Sequence, residues 1–192
     1  MKRFLFFMAL LCIWCISFNS VKAVSNAERQ DTSRFEHIVS KGDTGGGDGK
    51  YIELSTLRVI STDARTKSIE TKIYVVLPSS DLIREYTIRY DYNLNYSFAN
   101  LVAKMPEFKQ RFPDFSLNDI WNLKMDESGI VGTVKAQQDY TLNGESKTTQ
   151  PGYKGYEYVT FLTPTDFDFE SYHVANRVFK KVFGIFYDDV IR

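Results

Sequence analysis

The sequence contains very little cysteine and histidine, from which many catalytic and metal sites are built. Its two cysteines, Cys12 and Cys15, both lie near the start, and its two histidines are His37 and His173. Residues 24–192 therefore contain no cysteine, which excludes a disulfide framework, a cysteine nucleophile and a thiolate zinc site there. No His-x-x-x-His or Gly-x-Ser-x-Gly pattern occurs. The sequence thus predicts no metal and leaves any catalytic residues unknown.

The chain also lacks an excess of either charge, with 24 basic and 24 acidic residues. The segment 1–23 contributes three basic residues and no acid, so the remainder carries a net charge of about −3. Nucleic-acid binding calls for a basic patch or stripe. We therefore predict no nucleic-acid partner, whereas a small net negative charge suits a soluble protein.

Residues 1–23 have the layout of a secretory signal peptide. A basic start is followed by an apolar run over residues 4–18 and a short polar stretch that ends at Ala23. This pattern predicts cleavage between Ala23 and Val24. The apolar run is shorter than the roughly 20 residues of a membrane span, so the mature chain is expected to lack an integral span. The expected localisation is export, to a periplasm or as a secreted protein, with a retained N-terminal anchor as the alternative.

Residues 24–49 are polar and rich in glycine, and they predict a flexible leader in which 34–39 could be a short ordered piece. A single domain is expected over 50–192. The leader ends in a run resembling a phosphate-binding loop, but Thr44 and Tyr51 stand where that motif needs glycine and serine or threonine. No nucleotide or other cofactor is therefore predicted.

The predicted domain is dominated by strands. Residues 51–61 and 68–78 predict a hairpin, 129–144 a strand ending at an Asn-Gly turn, and 156–164 a further strand. The most regular stretch is YTIRYDYNLNYSF, 86–98, in which every second residue is apolar. We expect its tyrosines to face a covering helix. Because thirteen residues exceed most strands, a bend, a bulge or an overhanging end is also expected.

Helical spacing appears in the second half of the chain. A helix over 98–108 should be broken at Pro106, and Ser116 should cap a short helix containing Trp121. Residues 171–183 predict an amphipathic C-terminal helix that stops at Gly184 and precedes a short strand. The predicted fold class is α+β, an antiparallel sheet of about five or six strands covered by one or two amphipathic helices.

The aromatic residues give the best indication of function. Tyr153 and Tyr156 lie in a glycine-containing loop, and tyrosine suits contacts with proteins or sugars. Arg89 and Asp91 lie on the parity of the 86–98 stretch that faces away from its tyrosines. These four residues are the candidate partner-binding set. We expect an exported, non-enzymatic binding or accessory protein that contacts a protein or another envelope macromolecule through a tyrosine-rich surface.

An enzyme remains the alternative hypothesis. Two carboxylates can converge from distant positions in a fold, and such a pair is sufficient for hydrolysis of some substrates. The alternative is therefore a small exported hydrolase that uses paired carboxylates, although the missing nucleophiles favour the binding protein.

Overall fold

In the computed structural model, eight β-strands among the described residues form one antiparallel sheet. The structure describes residues 24–25, 27–38, 49–147, 158–162 and 169–191. The strands are β1 (Phe35–Ile38), β2 (Gly49–Glu53), β3 (Arg58–Thr62), β4 (Thr66–Leu77), β5 (Leu82–Asn93), β6 (Ile130–Tyr140), β7 (Ser146–Lys147) and β8 (Tyr158–Leu162).

The sheet has six positions across, in the order β1-β2-β4-β5-β6-β7. β2 and β3 share one edge of β4, because a short 3-10 turn at Leu54–Thr56 interrupts what would otherwise be one strand. β7 and β8 likewise pair with opposite ends of the same edge of β6. The sheet curls as a half-barrel, and the predicted α+β class with an antiparallel sheet is confirmed.

β5 contains most of the regular stretch noted in the sequence, and its tyrosines belong to the core. Tyr90 and Tyr92 are buried in the cluster that packs under the last helix. The Tyr92 hydroxyl donates a hydrogen bond to the backbone oxygen of Ala175 at 2.8 Å. Tyr90 and Tyr92 thus face a covering helix as predicted, whereas Tyr86 lies in the lining of a cleft.

The great length of β5 is accommodated by a bulge in its neighbour. β5 pairs with β4 from Leu82 to Asn93, so no end overhangs the sheet. On the other edge, the register with β6 shifts between Thr87 and Ile88. Such a bulge increases the local twist, which suits a strand of this length in a curled sheet.

The described residues also form four α-helices: α1 (Phe98–Ala103), α2 (Met105–Arg111), α3 (Leu117–Asp126) and α4 (Phe169–Phe183). α1 and α2 are separate helices, and Pro106 lies in the first turn of the second, where a proline is tolerated. Ser116 caps α3 in a capping box with Asp119, as its sequence predicts. Gly184, with a φ of 77°, ends α4 in the left-handed conformation that glycine allows.

α4 lies across the concave face of the sheet. The predicted apolar arc is present, since Tyr172, Ala175, Val178 and Phe179 are all buried. The residues after α4 form a 3-10 turn, Tyr187–Asp189, where the sequence predicts a short strand. The backbone N–H of Tyr187 donates to the side chain of Asn176 in α4 at 2.8 Å. The backbone N–H of Tyr187 thus has a hydrogen-bond partner on the helix and does not need one on a neighbouring strand.

Residues preceding β2 also belong to the folded structure. β1 pairs with β2 in antiparallel register, and its Phe35 and Ile38 are buried on opposite faces of the sheet. Residues 39–48 of the predicted leader lie outside the described residues, as do residues 1–23. The short ordered piece expected around 34–39 is therefore an edge strand, held by two apolar anchors in an otherwise polar segment.

Candidate functional site

The four residues predicted to bind a partner have different outcomes. Tyr153 and Tyr156 lie outside the described residues, so their role stays a prediction. Arg89 and Asp91 lie on the convex face, where Arg89 Nε donates to Asp91 Oδ1 at 2.9 Å. The hydroxyl of Ser68 also donates to Asp91. The two charges therefore neutralise one another, and each side chain keeps about a third of its surface exposed.

The predicted cleavage point adjoins the folded part. Ala23 lies outside the described residues, whereas Val24 is buried in an apolar cluster on the convex side that includes Phe35 and Tyr74. The Val24 carbonyl accepts a hydrogen bond from Arg29 Nη1 at 2.5 Å. Burial lowers the pKa of Arg29 to about 10, against the opposing effect of nearby tyrosines.

The concave face of the sheet contains an apolar cleft of about 310 Å³ beside the beginning of α4. Its strand walls include Ile73, Val75, Tyr86, Ile88, Tyr90 and Val134. Clefts of this size lie at the lower end of the range for small-ligand sites. This concave cleft lies beside Tyr86, the part of the tyrosine stripe that α4 does not cover.

The strand register explains how the concave cleft is formed. Tyr86, Ile88 and Tyr90 are alternate residues of β5 and therefore share a face. Tyr90 is opposite Gly132 of β6, whose missing side chain leaves space above the sheet. Lys50, Val75 and Arg84 lie in a row across β2, β4 and β5, which places two basic residues at one end.

A second cleft, of about 190 Å³, contains the acids Asp91, Asp126 and Glu127 in its lining. Asp91 is already bonded to Arg89 and Ser68, as described above. Within the described part of the chain, no group of three or more histidine, cysteine or acidic side chains is placed to hold a metal ion.

The two histidines lie apart. His37 stacks on the ring of Tyr51, with centroids 4.6 Å apart and planes 18° from parallel. His173 is in α4, where burial and the neighbouring Arg177 lower its pKa, while Glu36 opposes that shift. The Glu36 carboxylate lies 3.8 Å from Arg177 and 3.0 Å from Lys181, which holds β1 against the polar side of α4.

A buried lysine connects α3 to the end of the described chain. Lys124 is 1% exposed, and its Nζ donates to the backbone oxygens of Tyr96 and Ser128, each at 2.6 Å. The same nitrogen lies 2.8 Å from Asp188 Oδ1. Burial lowers the pKa of Lys124, and the Asp188 carboxylate opposes this shift. Because three oxygen atoms surround its three N–H groups, this lysine is placed to stabilise the fold rather than to react.

Both carboxylate oxygens of Asp188 also have hydrogen-bond partners. Its Oδ2 accepts hydrogen bonds from the Tyr172 hydroxyl at 2.5 Å and from Asn176 Nδ2 at 3.0 Å. Its Oδ1 also accepts from the backbone N–H of Phe98 at 3.2 Å. This lysine–aspartate network therefore joins α1, α3, α4 and the final 3-10 turn. Its burial was not predicted from the sequence.

α3 also carries an exposed apolar stripe. Leu117, Trp121 and Met125 are 51%, 49% and 39% exposed, and their spacing of four residues aligns them on one helix face. The ring of Trp121 packs against Phe98, with centroids 4.7 Å apart. The sequence predicted the helix and its cap but did not predict that this stripe would be exposed. We refer to these three residues as the α3 stripe.

No helix among the described residues has both the length and the apolar character to cross a bilayer. Comparison with protein-family models, with curated proteins and with solved structures finds no match for this chain. The class is therefore defined by the fold and its surfaces alone. The chain forms an α+β half-barrel with an apolar concave cleft and an exposed aromatic stripe on a helix.

Proposed function

We propose that this is an exported, non-enzymatic binding protein that contacts another protein of the envelope or the extracellular space through the α3 stripe. The observation that carries the proposal is the exposure of Leu117, Trp121 and Met125 in a line along one helix. This surface replaces the predicted tyrosine loop as the main contact, and Tyr153 and Tyr156 remain a predicted addition to it.

The composition of the α3 stripe supports a protein partner. Tryptophan and methionine are enriched at protein interfaces relative to the rest of the surface, and tryptophan is prominent among hot spots. Trp121 is already held in place by Phe98, so little side-chain freedom would be lost on binding. Phe112, between α2 and α3, is a further exposed aromatic residue.

The hydrolase with paired carboxylates is the second candidate, because Asp91, Asp126 and Glu127 line one cleft. The bonds of Asp91 to Arg89 and Ser68 favour the binding proposal over it. A hydrolytic carboxylate must accept or donate a proton or attack the substrate, and an internal ion pair with an arginine opposes these roles.

Export is tested by sequencing the N-terminus of the protein recovered from the cells that make it. We expect the chain to begin at Val24, because the pattern before it is that of a cleaved signal peptide. A chain that still begins at Met1 would contradict cleavage. Recovery of the protein with the cytoplasmic fraction would contradict export.

The α3 stripe is tested by photo-cross-linking in the same cells, with p-benzoylphenylalanine in place of Leu117. We expect a discrete protein adduct at this position. Adding Trp121→Ala should remove most of it, because truncation of a hot-spot tryptophan costs about 2 kcal/mol or more, roughly 30-fold in affinity. The matched control places the same cross-linker at Ile60, which is 39% exposed on β3.

The outcomes separate clearly. An adduct that forms at position 117, depends on Trp121 and is missing at position 60 supports the proposal. No adduct at 117, or the same adduct at both positions, overturns it. The thermal midpoint of Trp121→Ala is measured in parallel, so that a general loss of structure is recognised.

A further inference from the structure

We propose that the concave cleft binds an uncharged apolar molecule that accepts a hydrogen bond from the Tyr90 hydroxyl through one oxygen, as a ketone, an ester or an ether can. This site is distinct from the α3 stripe and does not depend on the function proposed above. The ligand class follows from two observations, the apolar walls of the cleft and a buried hydroxyl group that has no partner in the described part of the chain.

The interior of the concave cleft suits a small apolar molecule. β-branched and aromatic side chains form the strand walls, and Val174 of α4 and Leu162 of β8 complete them. The volume of about 310 Å³ corresponds to about ten water molecules, which leaves room for a short chain or a ring. Transfer of such a molecule from water to apolar walls is favourable by the hydrophobic effect.

The hydroxyl of Tyr90 differs from those of the neighbouring buried tyrosines. Tyr90 lines the concave cleft and is only 3% exposed. Tyr92, Tyr172 and Tyr187 belong to the same buried cluster, and each donates a hydrogen bond through its hydroxyl. Among the described residues, the Tyr90 hydroxyl has no hydrogen-bond partner. A buried polar group without a partner is unfavourable, so an acceptor on a ligand would be bound there.

Tyr90 offers that ligand a neutral O–H group. Burial raises the pKa of Tyr90 above the ordinary value for tyrosine, so the hydroxyl keeps its proton at neutral pH. Such a group donates one hydrogen bond, which a carbonyl or ether oxygen accepts. Tyr86 and Ser171 also line the cleft, but both are half-buried and their hydroxyls can bond to water instead.

The charged side chains near the cleft are already engaged. Arg84 is paired with Asp139 through bonds of 2.8 and 3.0 Å, and Lys50 in the lining interacts with another group of the chain. A charged ligand would lose its hydration between the apolar walls, and these engaged side chains would not replace it. An uncharged ligand is therefore favoured.

The hydrogen bond is tested by calorimetric titration of the protein recovered from the cells that make it. The probes are methyl heptyl ketone and butylbenzene, which have the same number of non-hydrogen atoms, although only the ketone has an acceptor. We expect one molecule of the ketone to bind per chain. Tyr90→Phe should weaken ketone binding about fivefold, as the loss of one hydrogen bond does, and leave the affinity for butylbenzene unchanged or higher. The carbonyl stretching frequency of the bound ketone should rise in this variant.

Tyr92→Phe is the matched control. It makes the same change at the next position on this face of β5, but Tyr92 lies outside the lining of the concave cleft, and its hydroxyl is already bonded to Ala175 at 2.8 Å. This variant should lower the midpoint of urea denaturation and leave ketone binding unchanged. Tyr90→Phe should not lower the midpoint, because its hydroxyl makes no hydrogen bond within the described chain.

The location is tested by filling the cleft from the sheet. Val134→Trp places an indole ring among the walls and should abolish the binding of both probes. Ala136→Trp is the control on the same strand. Ala136 is exposed and lies opposite Thr87, so the bulge in β6 places it on the convex face, away from the cleft. The Ala136→Trp variant should therefore bind the ketone as the original chain does.

Several outcomes would overturn the proposal. They are no binding of the ketone, a ketone affinity that Tyr90→Phe leaves unchanged, and an equal loss of ketone affinity in Tyr92→Phe. Ketone binding that persists in a folded Val134→Trp variant overturns the assignment to this cleft, and the result for Tyr90→Phe does not depend on how that variant folds. None of these substitutions lies in the α3 stripe, so the two proposals fail separately.

Discussion

Replacing Lys124 with methionine is expected to lower the free energy of unfolding by about 3–5 kcal/mol. The substitution keeps the length and apolar stem of the side chain but removes its charge and its three donors. Asp188 then loses its buried counter-ion, and the backbone oxygens of Tyr96 and Ser128 lose a donor. Asp188 keeps its neutral donors Tyr172 and Asn176 but has no cation beside it, and the oxygen of Tyr96 loses its donor at a buried site. Urea denaturation followed by circular dichroism measures the change.

The control for this prediction is Lys147→Met. Lys147 and Asp81 also form an ion pair, at 3.7 Å, but both side chains are well exposed. Loss of an exposed pair changes stability by about 0–1 kcal/mol. A loss below 1 kcal/mol for Lys124→Met would show that this lysine is hydrated in solution, contrary to its 1% exposure.

A double variant separates the charge from the packing. In the double variant Lys124→Met with Asp188→Asn, a neutral amide replaces the carboxylate that the first substitution leaves without its cation. Part of the stability should therefore return, because a buried unpaired charge costs more than a buried neutral pair. The coupling is obtained from the same denaturation curves by a double-mutant cycle.

The second large effect is expected at Gly129, the residue that immediately precedes β6. Gly129→Ala should lower the free energy of unfolding by about 2–5 kcal/mol, combining left-handed backbone strain with overpacking. The φ of Gly129 is +79°, and a Cβ there would lie 2.3 Å from the Tyr187 hydroxyl and 2.5 Å from Tyr96 Cβ. The neighbours must move, and the Tyr187 hydroxyl is fixed by its bond to the Asn93 oxygen at 2.6 Å.

Gly184→Ala is a close control for Gly129→Ala. Its φ of +77° imposes nearly the same backbone strain, but a Cβ there would meet no atom within 4 Å. We expect a loss of about 1–2 kcal/mol from strain alone. Thermal and chemical denaturation of both variants gives the cost of the contacts by difference. Equal losses would show that Tyr187 does not pack against Gly129 in solution.

Features governed by neighbouring residues could be predicted from the sequence. The alternation along β5 follows from the two-residue period of a strand, whatever packs on it. The cap at Ser116, the break at Pro106 and the stop at Gly184 each depend on the chemistry of one residue and the adjoining turn. The sheet, its covering helix and the apolar arc of that helix could therefore be predicted from the sequence.

Features created by distant residues were not predictable in this way. Lys124 looks like a solvated residue in its own helix, and its burial depends on Asp188, which is 64 positions later in the chain. The concave cleft exists because α4 stops short of covering Tyr86, and because β6 has Gly132 opposite Tyr90. β1 joins the sheet through two anchors, too few for a periodic pattern to be evident.

The lysine–aspartate network also affects when the structure can be completed during protein synthesis. β4, β5 and β6 are successive strands of the sequence and can pair before the end of the chain emerges, since chains generally fold from the N-terminal side. Tyr187 and Asp188 come much later, yet they bond to Asn93, Phe98 and Lys124. Until they arrive, the nascent sheet has an uncovered apolar face and an ammonium without its carboxylate. The sheet can thus begin to form early, whereas its closed core must wait for Tyr187 and Asp188.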